Sequence, residues 1–247
     1  MPNRLGVLLL AVQLLGGASG DDACVDEHDS CKSWAAGGEC DKNKGFMHAG
    51  CPVSCHTCPK PIDPKLVELG DERVTMNIDG YGTIVLGFYP NAAPVTVAHI
   101  SKLFRMGCYD TDHIFRVDKG FVAQIQSVGA HSVTKSLSPE CQLEAEKTVP
   151  AEFTAIRHVR GILSMGRTSD PDSGGSSFSM LLGRAAHLDN DYTVFGKVLS
   201  GDDVLAKLEL VETRKEGIFV MPKKRITISS ATASGGSVEQ QQHNVEL

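Results

Sequence analysis

Apolar and polar residues alternate from Arg73 to Asp79, with Val74, Met76 and Ile78 on one side. A period of two is the pattern of a strand with one buried face. Gly80-Tyr81-Gly82 predicts a hairpin turn, and Thr83 to Tyr89 its return strand. Pro94 suits the first turn of a helix, and Val97, Ile100 and Phe104 follow at i, i+3 and i+7 before Gly107 ends it. Gly161–Gly166, Ser177–Leu182 and Thr193–Val198 are short apolar runs of strand length. Asp202 to Leu210 predicts a second helix with Val204, Leu205 and Leu208 inward, and Arg225 to Ser229 a closing strand. Short strands with two separated helices predict a mainly β fold: a closed antiparallel barrel with a helix over each end.

Two flanking regions read differently. Leu5 to Leu15 is an apolar run of 11 residues behind Arg4, with small Ala18 and Gly20 after it. It is too short to span a bilayer, and residues 1–20 are expected to be a secretory signal peptide. Pro59 to Leu66, PKPIDPKL, predicts a stiff linker, so the larger domain spans about 67–230. From Ala231 onward the Ser/Gly- and Gln-rich composition predicts a disordered tail, 231–247. The final Glu246-Leu247 fits an ER-retrieval signal but Asn244 and Val245 do not, which leaves ER lumen and secretion both open.

Composition narrows the function classes. The net charge of −6 excludes a basic nucleic-acid binder, and nothing predicts membrane insertion. Six of the 8 cysteines fall between Cys24 and Cys58, spaced C-x6-C-x8-C-x10-C-x3-C-x2-C. Behind a leader this reads as a disulfide framework in residues 22–58, whose pairing the spacing alone leaves open. Zinc fits poorly, because Cys55 and Cys58 are the one tight pair. Cys108 and Cys141 suit either a disulfide or two buried thiols.

CKSWAAGGEC, Met47 and CPVSCHTC resemble the ShK-toxin-like module, over all six cysteines plus Trp34, Gly38, Glu39, Pro52 and Ser54. The resemblance implies the pairs Cys24–Cys58, Cys31–Cys51 and Cys40–Cys55. Toxin members block potassium channels through a lysine–tyrosine pair before the fourth cysteine. Gly45 and Phe46 stand there, so channel block is not expected, and Trp34 reads as packed beside the disulfides.

FRVDKGFVAQ, RGILSMGR, SSFSMLLG and HLDNDYTVFGKV occur in this order along the larger domain. Together they resemble the cyclophilin-type peptidyl-prolyl cis–trans isomerases, especially plant and algal secretory members. The resemblance covers nearly all of Arg73 to Ser229 and implies an eight-stranded barrel with two capping helices. It also implies catalysis by Arg116, a proline pocket with Phe121 as floor and Leu188 as wall, and Gln124 holding the substrate backbone.

The chemistry needs little else. Rotation about a prolyl amide meets a barrier of about 18–20 kcal/mol because nitrogen shares its lone pair with the carbonyl. The twisted transition state has lost that sharing, so its nitrogen accepts a hydrogen bond that the planar states cannot. A guanidinium supplies a permanently charged donor in a fixed plane. No cofactor or metal is required. His113 and His187 read as structural, and Asp170, Asp172 and Asp189 as solvated loop acids without calcium-loop spacing.

Departures from the family pattern concentrate in the pocket. Phe115 replaces a histidine, Ser177 a glutamine, Ser179 a phenylalanine, His187 a tryptophan and Tyr192 a histidine; Gly166-Arg167 replaces alanine–asparagine, and there is an insertion near 170–175. Losing the phenylalanine at 179 removes about 2 kcal/mol of apolar burial. Reduced isomerase activity and weak cyclosporin binding are therefore expected. The expected partners are proline-containing peptides or unfolded client proteins, met by a monomer. The alternative is a non-catalytic proline-peptide-binding chaperone or scaffold.

Overall fold

The computed structural model describes residues 24–58, 62–130 and 137–235. The signal peptide expected at 1–20, most of the proline-rich linker's first half and the chain beyond 235 lie outside them.

The larger unit is a closed barrel. Its strands are β1 (Arg73–Ile78), β2 (Gly82–Phe88), β3 (His113–Asp118), β4 (Val122–Ile125), β5 (Ile162–Met165), β6 (Phe178–Leu181), β7 (Val194–Ser200) and the final strand of the chain, β10 (Ile226–Ser234). Around the barrel the order is β1, β10, β3, β4, β6, β5, β7, β2, with every pairing antiparallel. Alternation does what the sequence predicts in β1, where Val74, Met76 and Ile78 turn inward. Inside, Phe88, Phe104, Tyr109, Phe178 and Phe195 stack into one aromatic core with Ile84, Leu86 and Met180. Burying a side chain of this size contributes about 1.5–3 kcal/mol each, which is what holds a barrel of short strands shut.

Helix α4 (Pro94–Arg105) packs on β10, burying Ile100, Leu103 and Phe104 with Thr96 and His99, while Val97 stays half-buried. It has no local cap; the carboxylate of Glu152 accepts from the Val95 and Thr96 amides at 3.0 and 2.9 Å. These are two of the donors a helix start leaves unpaired. Helix α6 (Asp202–Leu208) packs on β2 through Val204, Leu205 and Leu208.

The structure corrects the sequence reading in three places and settles the state of Cys108 and Cys141, which that reading left open. A further short helix, α5 (Pro139–Ala145), is capped by Ser138, whose hydroxyl accepts from the Cys141 amide. Cys108 and Cys141 are paired, tying α5 to the end of α4. A two-stranded hairpin outside the barrel is formed by β8 (Thr213–Glu216) and β9 (Phe219–Pro222). The last strand, β10, runs to Ser234, so residues 231–234 are not a disordered tail: they pair with Arg73–Met76, and Ala231 is buried.

The small unit holds helices α1 (Cys31–Ala36), α2 (Glu39–Lys42) and α3 (Lys44–Gly50) around disulfides Cys24–Cys58, Cys31–Cys51 and Cys40–Cys55. Its core is little more than Cys31, Met47 and Cys51, with Trp34 half-buried beside them. Among the described residues no helix is long and apolar enough to cross a membrane.

Candidate active site

One irregularity in β3 creates the site. Ile114 faces Ile125, yet Arg116 faces Gln124, so β3 takes two steps while β4 takes one. Phe115 is the extra residue of a β-bulge, a device that re-aims the side chains after it. Strict alternation would turn Arg116 inward with buried Ile114; the bulge sends Val117 inward instead and leaves Arg116 on the outer face. The turn after β3 then presents Phe121. Gly120 adopts φ 73°, and the Phe121 amide donates to Asp118 O at 2.9 Å. The turn is pinned from behind by Leu182 N–H, which donates to Phe121 O at 2.9 Å.

Arg116 is only 19% exposed. Its guanidinium carbon lies 5.1 Å from the Phe121 ring centre and 5.7 Å from that of Phe219. A terminal nitrogen donates to Asp118 Oδ2 at 3.2 Å, whereas the buried Nε has no hydrogen-bond partner among the described residues. An unused buried donor of a permanent cation is costly unless something else takes it up.

Two patches flank this arginine. On one side Phe121, Leu188 and Tyr192 belong to a single apolar cluster, with the exposed His187 ring 5.1 Å from Phe121. Partial burial, the main cause, lowers the His187 pKa, so at neutral pH it presents an uncharged ring. On the other side a cavity of about 280 Å³ is lined by Phe115, Gln124, Gln126, Gly166, Arg167 and Ser177 among others. Gln124 Nε2 donates to Ser177 Oγ at 3.2 Å, and that hydroxyl donates to Ile125 O at 2.7 Å. Ser179 is buried between Gln124 and Ser164 on the neighbouring strands and does not line the cavity.

At the site Phe219 escaped the sequence reading, and Arg167 figured in it only as a departure from the family pattern. Arg167 stacks 4.2 Å over Tyr192 and pairs with Asp191 Oδ1 at 3.0 Å, so Tyr192 is engaged rather than free. Phe219 comes from the unforeseen hairpin; its only signal was the apolar run Ile218–Met221 after Gly217.

Asp189 is also not the solvated acid expected. It is 18% exposed and pairs with His158 Nδ1 at 3.0 Å and with Arg184. His158 Nδ1 thus donates to the carboxylate, and its Nε2 lies 3.0 Å from the Ser164 hydroxyl. This tie fixes the turn Ala186–Leu188 that carries His187 and Leu188. Asp170 and Asp172 do remain exposed; Asp170 accepts from the Asp172 amide of its own loop, and Asp172 from the Ala151 amide of a separate segment. Among the described residues no group of three or more His, Cys, Asp or Glu is gathered as a metal site.

Burial alone would raise the Asp189 pKa, but the hydrogen bonds from His158 and Arg184 outweigh it and hold the group at about 2, against 3.8 for the free side chain. A depressed carboxyl adds stability that is complete above the unfolded pKa and lost as pH falls through the folded one. Stability should fall between about pH 4 and pH 2, with Glu144, also held at about 2 by Lys102 and Lys147, contributing to the slope. In urea titrations across that range Asp189→Asn should flatten part of the slope; a slope equal to wild type contradicts the assignment.

Comparison with known proteins gives the family. The family model described as cyclophilin type peptidyl-prolyl cis-trans isomerase/CLD matches residues 73–233, and the ShK domain-like model matches 23–58. The peptidyl-prolyl cis-trans isomerase CYP23 of Arabidopsis thaliana is 58% identical over 167 residues, 68% of this chain and 73% of its own length. Peptidyl-prolyl cis-trans isomerase A of Dickeya dadantii is 33% identical over 61% of this chain and 78% of its own. In fold, a cyclophilin type isomerase of Cryptosporidium parvum, crystallised in the presence of the dipeptide Ala-Pro, superposes with a TM-score of 0.55 at 22% identity, over 66% of this chain and 99% of its own. Behind its small ShK-like domain, this chain therefore belongs to the cyclophilin-type peptidyl-prolyl cis–trans isomerases.

Proposed function

We propose that this protein interconverts cis and trans X-Pro bonds in polypeptides of the secretory pathway. The observation that carries the reading is Arg116: a cation re-aimed outward by a bulge, held between rings, with a buried Nε that no group among the described residues uses. In this reading the guanidinium donates to the prolyl nitrogen as it pyramidalises and loses conjugation. Phe121, Leu188, His187 and Tyr192 seat the pyrrolidine ring. Gln124, Ser177 and Phe115 hold the chain on the polar side, and Ser179 leaves the seat without a family aromatic wall. The named activity of the plant relative, 58% identical, supports the assignment. Pairing of all eight cysteines supports an oxidising compartment.

The substituted pocket argues for reduced turnover and weak cyclosporin binding. A second reading, a proline-peptide holder, draws on one observation: α3 of the small module packs against the turn bearing His187, placing a second surface next to the site. Exchange NMR on an Ala-Pro tetrapeptide separates the two. The enzyme reading expects cis–trans exchange peaks that persist at a cyclosporin concentration equimolar with the protein. Peptide line broadening without exchange favours the holder, and loss of exchange at equimolar cyclosporin overturns the weak-binding proposal.

A further inference from the structure

The hairpin β8–β9 stands outside the barrel, and its two strands pair only with each other. Its strand β9 nonetheless lies against β3, the strand of the bulge. Phe219 is the contact residue. Its ring meets that of the bulge residue Phe115 edge to face, centres 5.4 Å apart, and lies 5.7 Å from the guanidinium carbon of Arg116. Opposite Phe219 in the hairpin register stands Glu216, and Gly217, with φ 60°, forms the tight turn with Ile218.

We propose that Phe219 is a positioning residue for the isomerisation: it holds the Arg116 guanidinium in place without consuming any of its donors. The inference rests on the isomerase reading of Arg116 and extends it. An arginine is usually oriented by hydrogen bonds to carboxylates or carbonyls, and each bond uses a donor. Here the protein supplies one ion pair, to the partly exposed Asp118, which restrains little. Aromatic faces restrain a cation differently. They attract it through the ring quadrupole and limit its swing, while its N–H groups stay available in their own plane. Two rings, Phe121 and Phe219, share that task, and Phe115 braces the second of them. A ring at 115 thus serves the site by supporting Phe219, a job that has no counterpart in hydrogen bonding.

The experiment compares Phe219→Leu, which keeps bulk and loses the ring, with Phe219→Tyr, which keeps the ring, in the full chain. Turnover of an Ala-Pro tetrapeptide is measured with kcat and KM separated, alongside Tm. Phe219→Leu should lower kcat about five- to tenfold at unchanged KM, the size expected for one cation–ring contact between the exposed and the fully desolvated case. Phe219→Tyr should keep the wild-type kcat. In the Arg116→Ala background Phe219→Leu should have no further effect, because the cycle closes on the shared contact. A wild-type kcat in Phe219→Leu, or a change in KM alone, overturns the inference. A readout independent of turnover is the Arg116 Nε–H proton resonance. It should be displaced by ring current in the wild type and in Phe219→Tyr, and return toward its ordinary position in Phe219→Leu. An undisplaced resonance in the wild type overturns the inference even if the enzyme is active. An inactive wild type with the displaced resonance sinks the isomerase reading and leaves the positioning of Arg116 by Phe219 supported.

Discussion

Arg116→Ala should lower kcat/KM for an Ala-Pro tetrapeptide by about a hundredfold, nearly all of it in kcat. A hydrogen bond from a charged donor contributes about 1.5–3 kcal/mol, and 2.7 kcal/mol is a factor of a hundred in rate. The loss falls on kcat because the planar ground state offers the guanidinium no lone pair on nitrogen; the contact exists only when the amide is twisted. Arg116→Lys should recover little, since an ammonium on a flexible stem is neither held by the two rings nor aimed by a plane. Stability should change little, because the loss of two cation–ring contacts is set against the removal of an unsatisfied buried donor. Nε is buried without a partner, and the one ion pair is to a carboxylate that is 36% exposed. Removing an unsatisfied buried donor relieves a cost rather than creating one. Unchanged catalysed turnover in Arg116→Ala, with Tm intact, would remove the catalytic role given to Arg116; exchange at the uncatalysed rate in both proteins would leave only the holder reading standing.

How far the sequence disclosed this depends on what each feature buries. Strands β1 and β2 announce themselves because one face is core, so apolar residues recur at every second position. Hairpin β8–β9 buries neither face: Thr213, Arg214, Lys215 and Glu216 run without alternation, and nothing marks them as a strand. Ser230 to Ser234 are small and polar, a composition shared with flexible tails, and only the pairing to Arg73–Met76 makes them a strand. Helix α5 is seven residues long, too short for a 3.6 period to show, and its Ser138-Pro139 start was the available clue. At the site, Arg116, Phe121 and Gln124 sit on one hairpin and were found together through the family resemblance. The bulge that faces them outward was invisible, because a residue count of one in β3 has no signature in residue type. Phe219 and the His158–Asp189–Arg184 tie depend on contacts between segments far apart in the chain, which no local pattern encodes.

Reduction should separate the two units of the chain. In the module at 24–58 the three disulfides close loops with sequence separations of 34, 20 and 15 residues. Constraining loops of this size contributes roughly 3–4 kcal/mol each through the unfolded state, about 10 kcal/mol in all. Against that stands a buried core of Cys31, Met47 and Cys51, two of which are themselves the staple. Three short helices cannot persist on their own, since isolated helices under about a dozen residues are marginal in water. The barrel is differently built. It loses one bridge, Cys108–Cys141, but keeps a core of more than twenty buried apolar residues. The chain's sole tryptophan makes the difference measurable. Trp34 is half-buried in the module, with the His28 and Phe46 rings each 5.7 Å from it. Under a thiol reductant in native buffer its emission should shift to the red and lose its quenching by these neighbours, while far-UV circular dichroism keeps the barrel's strand signal and isomerase turnover of a short peptide continues. If the Trp34 spectrum is unchanged after complete reduction, the module has a source of stability other than its bridges. If turnover disappears together with the Trp34 shift, the contact between α3 and the His187 turn is part of the site's support rather than a neighbour to it.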